Sequence, residues 1–312
     1  MTSTRSRHDV VSLLDEDPDL AFGLNARERE LAERHAIAGS VRLEPPAWDT
    51  SRLTGDAKHG WLGLFVIEGM LLRSVNIGRR FACELAGPGD LIRPWDTDGD
   101  YAPLPISVSW RVLTPTRMAV LDARFVARTA RWPQITGSIT GRAAQRARSL
   151  TLMGALTHLP RAYERLLILF WLLAERWGRV SPEGVRLTLP VTHEVLAMLI
   201  GTQRPTVTIA LRRLGAAGLL LREGRDRWLL TNAAIDGLRT PETLDLPDDD
   251  SFRVAAGLAA TLTPDGARSP DGARSSDGAR SSDGAPSHRQ TVVARRAHLE
   301  VARGHSEPAT RC

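Results

Sequence analysis

Residues 189–214, Leu-Pro-Val-Thr-His-Glu-Val-Leu-Ala-Met-Leu-Ile-Gly-Thr-Gln-Arg-Pro-Thr-Val-Thr-Ile-Ala-Leu-Arg-Arg-Leu, admit few folds. Leu196, Leu199 and Ile200 recur at helical spacing, and Thr192 stands where an N-cap oxygen is wanted. Gly201 can take the left-handed backbone that ends one helix and turns a sharp corner. Thr202 or Gln203 can open a second helix, where Pro205 is tolerated because a first turn has spare amide donors. Val207, Ala210, Leu211 and Leu214 give that helix one apolar stripe, so Arg204, Thr206, Thr208 and Arg212 face elsewhere. The pattern predicts a helix-turn-helix with a polar, cationic second helix, a shape that fits a DNA major groove. The plainer alternative is a helical hairpin inside a larger core.

The next residues favour the first reading. Gly215-Ala216-Ala217-Gly218 ends the second helix, and Leu219–Arg222 and Arg227–Leu230 read as strands around the turn Glu223-Gly224-Arg225-Asp226. A basic hairpin after a helix-turn-helix is a wing, which would set Arg222, Arg225 and Arg227 near a phosphate backbone.

Thr192-His193-Glu194 through Leu214, with Gly201 and Arg204-Pro205-Thr206-Val207-Thr208, resembles the winged-helix domain of Crp/Fnr transcription regulators. The upstream run from Arg165 to Gly178 is similar to a variant of that family. The resemblance is specific over roughly residues 160–231, looser over about 20–158 and absent beyond. It implies an α+β chain: an N-terminal cyclic-nucleotide-binding-like antiparallel β-roll, a long dimerisation helix and a C-terminal winged helix-turn-helix. It also implies double-stranded DNA as partner, a homodimer, and a β-roll that is either the sensor of an unknown small-molecule effector or purely structural. Gln203, Arg204, Pro205, Thr206 and Ile209 fall on the groove-facing side. Arg204 aligns with an arginine that reads guanine and Thr206 with a phosphate-contacting residue. Thr192, His193, Thr208, Arg212 and Arg225 complete the expected DNA-binding set. Pro205 and Ile209 depart from the glutamate and second arginine of the best-known members, so their operator cannot be assumed; Ile209 could instead touch a thymine methyl.

Composition sets the outer limits. At 312 residues the chain suits two domains and a tail. Its formal charge is +5, and the sole lysine is Lys58, so arginine carries nearly all the positive charge. Arginine suits bidentate recognition of phosphate and guanine, although a biased genome produces the same usage. Cys83 and Cys312 are too few for a disulfide scaffold or a four-cysteine metal cluster. With no apolar stretch long enough for a membrane and no hydrophobic region after the N-terminal charges, a cytoplasmic protein without membrane contact is expected.

Upstream, Leu24–Ile37 reads as a helix with Asn25 near its cap. From about Gly60 the pattern changes to strands: Trp61–Ile67, a turn at Glu68-Gly69, Met70–Val75 pairing Phe81–Leu85, a tight turn at Gly87-Pro88-Gly89-Asp90, then Ile106–Val112 and Arg117–Leu121. In the family this position holds the sensor domain. Cyclic-nucleotide binders hold ribose with a glutamate and the cyclic phosphate with an arginine; here those positions fall on Pro94 and Ile106, although Ser107 remains. Isoleucine can neither neutralise nor hydrogen-bond a phosphate, so no cyclic-nucleotide effector is expected.

Trp132-Pro133 opens a long helix in which Ile135, Ile139, Ala143, Leu150 and Met153 fall near a three-four repeat interrupted by Arg146. That stripe can pack on its own β-roll or against a twin helix. Pro160 breaks the path before a strongly apolar helix, Arg161–Trp177. The expected divisions are a flexible N-terminus over 1–20, a β-roll over 21–131, a dimerisation helix over 132–158, a winged helix over 160–236 and a disordered low-complexity tail over 240–312. The tail repeats Pro-Asp-Gly-Ala-Arg-Ser with variations over 264–287 and lacks the apolar residues a fold needs.

No catalytic constellation, cofactor motif or metal site is read. His193-Glu194 lacks the second histidine of a zinc-protease helix, since Ala197 stands there, and Asp96, Asp98 and Asp100 lack the downstream ligands of a calcium loop. A ligand sensor whose winged helix meets proteins rather than DNA is the alternative function.

Overall fold

The computed structural model describes residues 9–46, 48–50, 60–78, 80–95 and 106–239. The tail expected over 240–312 and the acidic run Asp96–Asp100 lie outside the described residues.

The N-terminal half is a six-stranded antiparallel sheet: β1 (Val10–Ser12), β2 (Ile37–Leu43), β3 (Gly63–Ile77), β4 (Arg80–Ala86), β5 (Leu91–Ile92) and β6 (Ile106–Leu121). The order is β1-β2-β6-β3-β4, with β5 also on β3. The stretch expected to be flexible over 1–20 is, from Asp9 onward, built into this roll. β1 pairs β2, the short helix α1 (Leu13–Glu16) follows, and Leu13, Leu14 and Leu20 are buried. Its apolar residues are spaced to enter the core, which net polarity conceals.

Glu68-Gly69 is not the turn that its residues suggest. β3 runs straight through, and the register slips there opposite Thr114-Pro115. Gly69 has φ +92, and a side chain on it would meet the Pro115 carbonyl oxygen at 2.4 Å. Glycine and proline, both poor strand residues, face each other across one bulge, so two apparent strand pairs are two long strands. The Gly87–Asp90 turn is present, closed by Asp90 N–H to the Gly87 carbonyl at 3.0 Å.

Helix α2 (Ala26–His35) opens on an Asn25–Glu28 capping box. After α3 (Ala123–Thr129), the long α4 (Pro133–Leu156) crosses the roll, and α5 (Ala162–Trp177) begins the C-terminal domain. Ile135 and Ile139 are buried in their own β-roll, and Met153 and Leu156 in the core shared with α5. Most of the apolar stripe of α4 is therefore used within the chain.

The C-terminal domain adds β7 (Arg179–Ser181), β8 (Gly184–Thr188), α6 (His193–Leu199), α7 (Arg204–Ala216), β9 (Leu220–Arg222), β10 (Arg227–Thr231) and α8 (Asn232–Arg239). Its sheet runs β7-β8-β10-β9, antiparallel throughout. Helix α8 carries the domain past the boundary expected at 236. One apolar cluster joins Met70, Leu72 and Leu85 of the roll to α5, α6 and α7, so both halves share a core. Among the described residues no helix is long and apolar enough to cross a membrane.

Candidate nucleic-acid interface

Helix α6 begins where Thr192 accepts the Val195 amide at 3.2 Å, a cap that satisfies one of the first-turn donors. Val195, Leu196, Leu199 and Ile200 bury one face of it. Gly201 then takes φ +64, and the Thr202 amide reaches back to the Ala197 carbonyl at 2.9 Å, closing the corner. Arg165 of α5 supports the corner from below, donating to the carbonyls of Leu159 at 2.7 Å and Ile200 at 3.2 Å. The sequence pattern does not reveal that support, since Ile200 lies 35 residues from Arg165 in the chain.

Helix α7 seats Val207, Ala210 and Leu214 in the core. Gln203, Arg204, Pro205, Thr206, Ile209 and Arg212 all lie exposed along the opposite side, Ile209 at 48%. The structure thus brings the expected groove-facing residues together on one outward surface. Two of the expected residues sit differently. Thr208 is half-buried, and its hydroxyl meets His193 Nδ1 at 2.9 Å, linking α7 to the start of α6. Thr192 serves its helix as cap while remaining exposed.

The wing turns through Glu223–Asp226, with the Glu223 amide donating to the Arg227 carbonyl at 2.9 Å. Arg225 and Arg227 are exposed. Arg222 is not a free cation: it donates to the carbonyls of Gly224 at 3.0 Å and Arg225 at 2.7 Å and lies over the Trp228 ring at 5.1 Å. It braces the turn from which Arg225 projects. Glu223 is occupied by Arg186 at 3.1 Å, which draws off a carboxylate that would otherwise repel phosphate.

Between α7 and β9 lies an open groove of about 300 Å³, lined by Leu211, Leu220, Leu221 and Trp228 with His193, Arg212 and Arg222 at its polar edge. His193 titrates below the ordinary histidine range. Partial burial is the main cause, and the positive charges of Arg222 and Arg204 add to it. No group of metal-ligating side chains occurs among the described residues.

In the roll, Ile106 opens β6, and Ser107 accepts the Asn76 side-chain amide at 3.3 Å. Neither arrangement supplies a cation for a cyclic phosphate.

Residues 164–239 match the family model described as a Crp-like helix-turn-helix domain. No curated protein matches the chain. Similar solved structures include a CooA mutant from Carboxydothermus hydrogenoformans, 17% identical, covering 63% of this chain and 86% of that one with a TM-score of 0.45. FixK2 from Bradyrhizobium japonicum is 16% identical, with 64% and 96% covered and a TM-score of 0.47. A CRP-family transcriptional regulator from Thermus thermophilus is 19% identical, with 66% and 100% covered and a TM-score of 0.44. The matched span contains the helix-turn-helix, the wing and the closing helix just described. Over residues 164–239 the chain carries a Crp-like helix-turn-helix domain.

Proposed function

We propose that the protein acts as a cytoplasmic homodimer, placing two copies of α7 in successive major grooves of double-stranded DNA, and that its β-roll responds to an effector other than a cyclic nucleotide. The observation that carries the reading is the division of α7. Val207, Ala210 and Leu214 anchor it, while Gln203, Arg204, Pro205, Thr206, Ile209 and Arg212 stand clear of the protein. Arg204 would read a guanine, Thr206 and Arg212 would meet phosphates, Ile209 would touch a thymine methyl, and Arg225 would reach the backbone from the wing. Thr192 and His193 would border the same phosphate path.

The dimer face is proposed on the side of α4 turned away from the roll. Gly137, Gly141, Ala144, Arg148 and Thr151 are exposed there, mostly small residues at three-four spacing, with Leu152 beside them. Small residues let two helix backbones approach closely. For the effector, the support is negative in chemistry: Pro94 and Ile106 stand where a ribose carboxylate ligand and a phosphate arginine would be needed.

Selection of bound sites from random DNA tests the reading, repeated with Arg204→Ala. A two-fold symmetric site is expected, with preference relaxed at one base pair per half-site in the variant. Binding should fall steeply with salt as released counterions dictate. The apolar groove beside α7 favours one other reading, a protein partner seated on the wing; salt-insensitive capture of such a partner with no DNA selection would support it.

A further inference from the structure

His193 Nδ1 and the Thr208 hydroxyl lie 2.9 Å apart, and the hydroxyl also reaches the Arg204 carbonyl at 3.2 Å, one turn back along α7. The hydroxyl has one proton, so when it donates to that carbonyl it accepts from the ring; Nδ1 then carries the hydrogen and the lone pair of the neutral imidazole is on Nε2. A second proton can join at Nε2 without breaking the link to α7. The ring lies in the groove between α7 and β9, beside Arg212 and Arg222 and at the base of the exposed face of α7.

We propose that His193 makes DNA binding proton-linked: neutral in the free protein, the ring takes up a proton at Nε2 when a backbone phosphate settles at the mouth of this groove. The inference rests on the DNA-binding reading above and adds a titrating contact to it. The charged groups around the ring are Arg204 and Arg212 on α7 and Arg222 on β9, with Glu194 exposed next to it on its own helix. In the free protein partial burial, and after it the charges of Arg222 and Arg204, oppose a second proton. A phosphate held by Arg204 and Arg212 offsets the repulsion at the ring, and an opposite charge within about 4–6 Å favours the protonated ring. The protonated Nε2–H is then a charge-assisted donor to the phosphate.

The sign follows from linkage. Over the pH range between the free and bound titrations of His193, the complex holds more protons than the free protein. Affinity therefore rises as pH falls, by at most about tenfold per pH unit for one proton. It levels off once the free ring is protonated as well.

The test uses the full chain and a fluorescent duplex of the selected sequence, with affinity measured by anisotropy from about pH 5.5 to about pH 8 at fixed ionic strength, bracketing the ordinary histidine value. Calorimetry in two buffers of different ionisation enthalpy reports proton uptake. Wild type is expected to tighten toward low pH and take up a fraction of one proton. His193→Gln, which keeps a donor toward Thr208, should lose that uptake, and His193→Arg, with a permanent charge, should lose it while binding at least as tightly as wild type at the alkaline end. The inference is overturned if folded His193→Gln retains the wild-type slope, or if wild type takes up no proton. Should His193→Gln fail to fold, folded His193→Arg retaining the wild-type slope overturns it equally. Tight binding with a flat pH profile rejects this inference alone; absence of DNA binding at every pH and salt rejects the DNA-binding reading with it.

Discussion

Arg146 of α4 donates to Glu84 of β4 at 2.8 Å, and Arg73 on the neighbouring strand holds the same carboxylate at 2.9 Å. That pair explains an arginine in the apolar stripe of the long helix. The roll buries Asp17, Glu84 and Asp90, and each is met by an arginine from a helix packed on it: Arg142 and Arg146 from α4, and Arg176 from α5. Trp177 adds an indole hydrogen bond to the Pro88 carbonyl at 3.1 Å. The long helix and the winged helix are thus fixed to the roll by directed charge as well as by shared apolar core.

Removing one member of a buried ion pair costs more than the pair contributes, because the survivor stays buried without a partner. Glu84→Ala strands Arg146, whose side chain is only 13% exposed, and should destabilise by about 3–5 kcal/mol. Arg146→Met keeps the packing of the stem and leaves Glu84 with Arg73, so the loss should be smaller. Denaturant melts of the two variants order them; equal losses contradict the shared-carboxylate account.

Two glycines should respond differently to substitution. Gly201 has the left-handed φ of +64, and a Cβ there would make only an ordinary contact with Thr157 at 3.8 Å, so Gly201→Ala should cost about 1–2 kcal/mol and Gly201→Asn less. Gly69→Ala meets backbone on top of an unfavourable φ and should cost more than either. Thermal melts distinguish them, and a tolerated Gly69→Ala would mean that the bulge can relax.

The two sides of α4 make separable predictions. Ile139→Ala empties core and should lower stability by about 2–5 kcal/mol without changing the association state. Ala144→Arg, on the exposed side, should leave the fold intact and turn a dimer into a monomer. Light scattering after size exclusion reads the outcome, and a dimer that survives Ala144→Arg puts the interface elsewhere.

Arg204→Ala and Arg212→Ala separate reading from gripping. The first should cost about 1–3 kcal/mol on the preferred sequence and blur one base position. The second should weaken all sequences alike and reduce the salt slope by about one. Anisotropy titrations against a preferred and a scrambled duplex at several salt concentrations measure both, and a sequence-neutral Arg204→Ala removes that residue from base readout.

Much of the winged helix was legible because its signals are local. The Thr192 cap, the Gly201 corner, Pro205 in a first turn and the Glu223–Asp226 hairpin each depend on residues a few positions apart. The misreadings were non-local. Glu68-Gly69 looks like a turn unless Pro115 is known to lie opposite, and Val11, Leu13 and Leu14 look like a loose lead-in unless β2 is there to pair Val11 and the roll to bury the two leucines. In the interface, exposure of Arg204 and Arg212 followed from periodicity, whereas the bracing role of Arg222 and the His193–Thr208 bond did not.

The succession of helices and strands in the winged-helix half, and which face of α7 is apolar, are written in the local order of residues, because backbone preference and side-chain period act over a few positions. Folding alone settles which side of α4 is spent on the roll, which arginines are consumed by Asp17, Glu84 and Asp90, and which stay exposed on α7 and the wing. An arginine has the same charge in every sequence window. Whether that charge is neutralised depends on a carboxylate brought beside it from tens of residues away, and that proximity is created by folding.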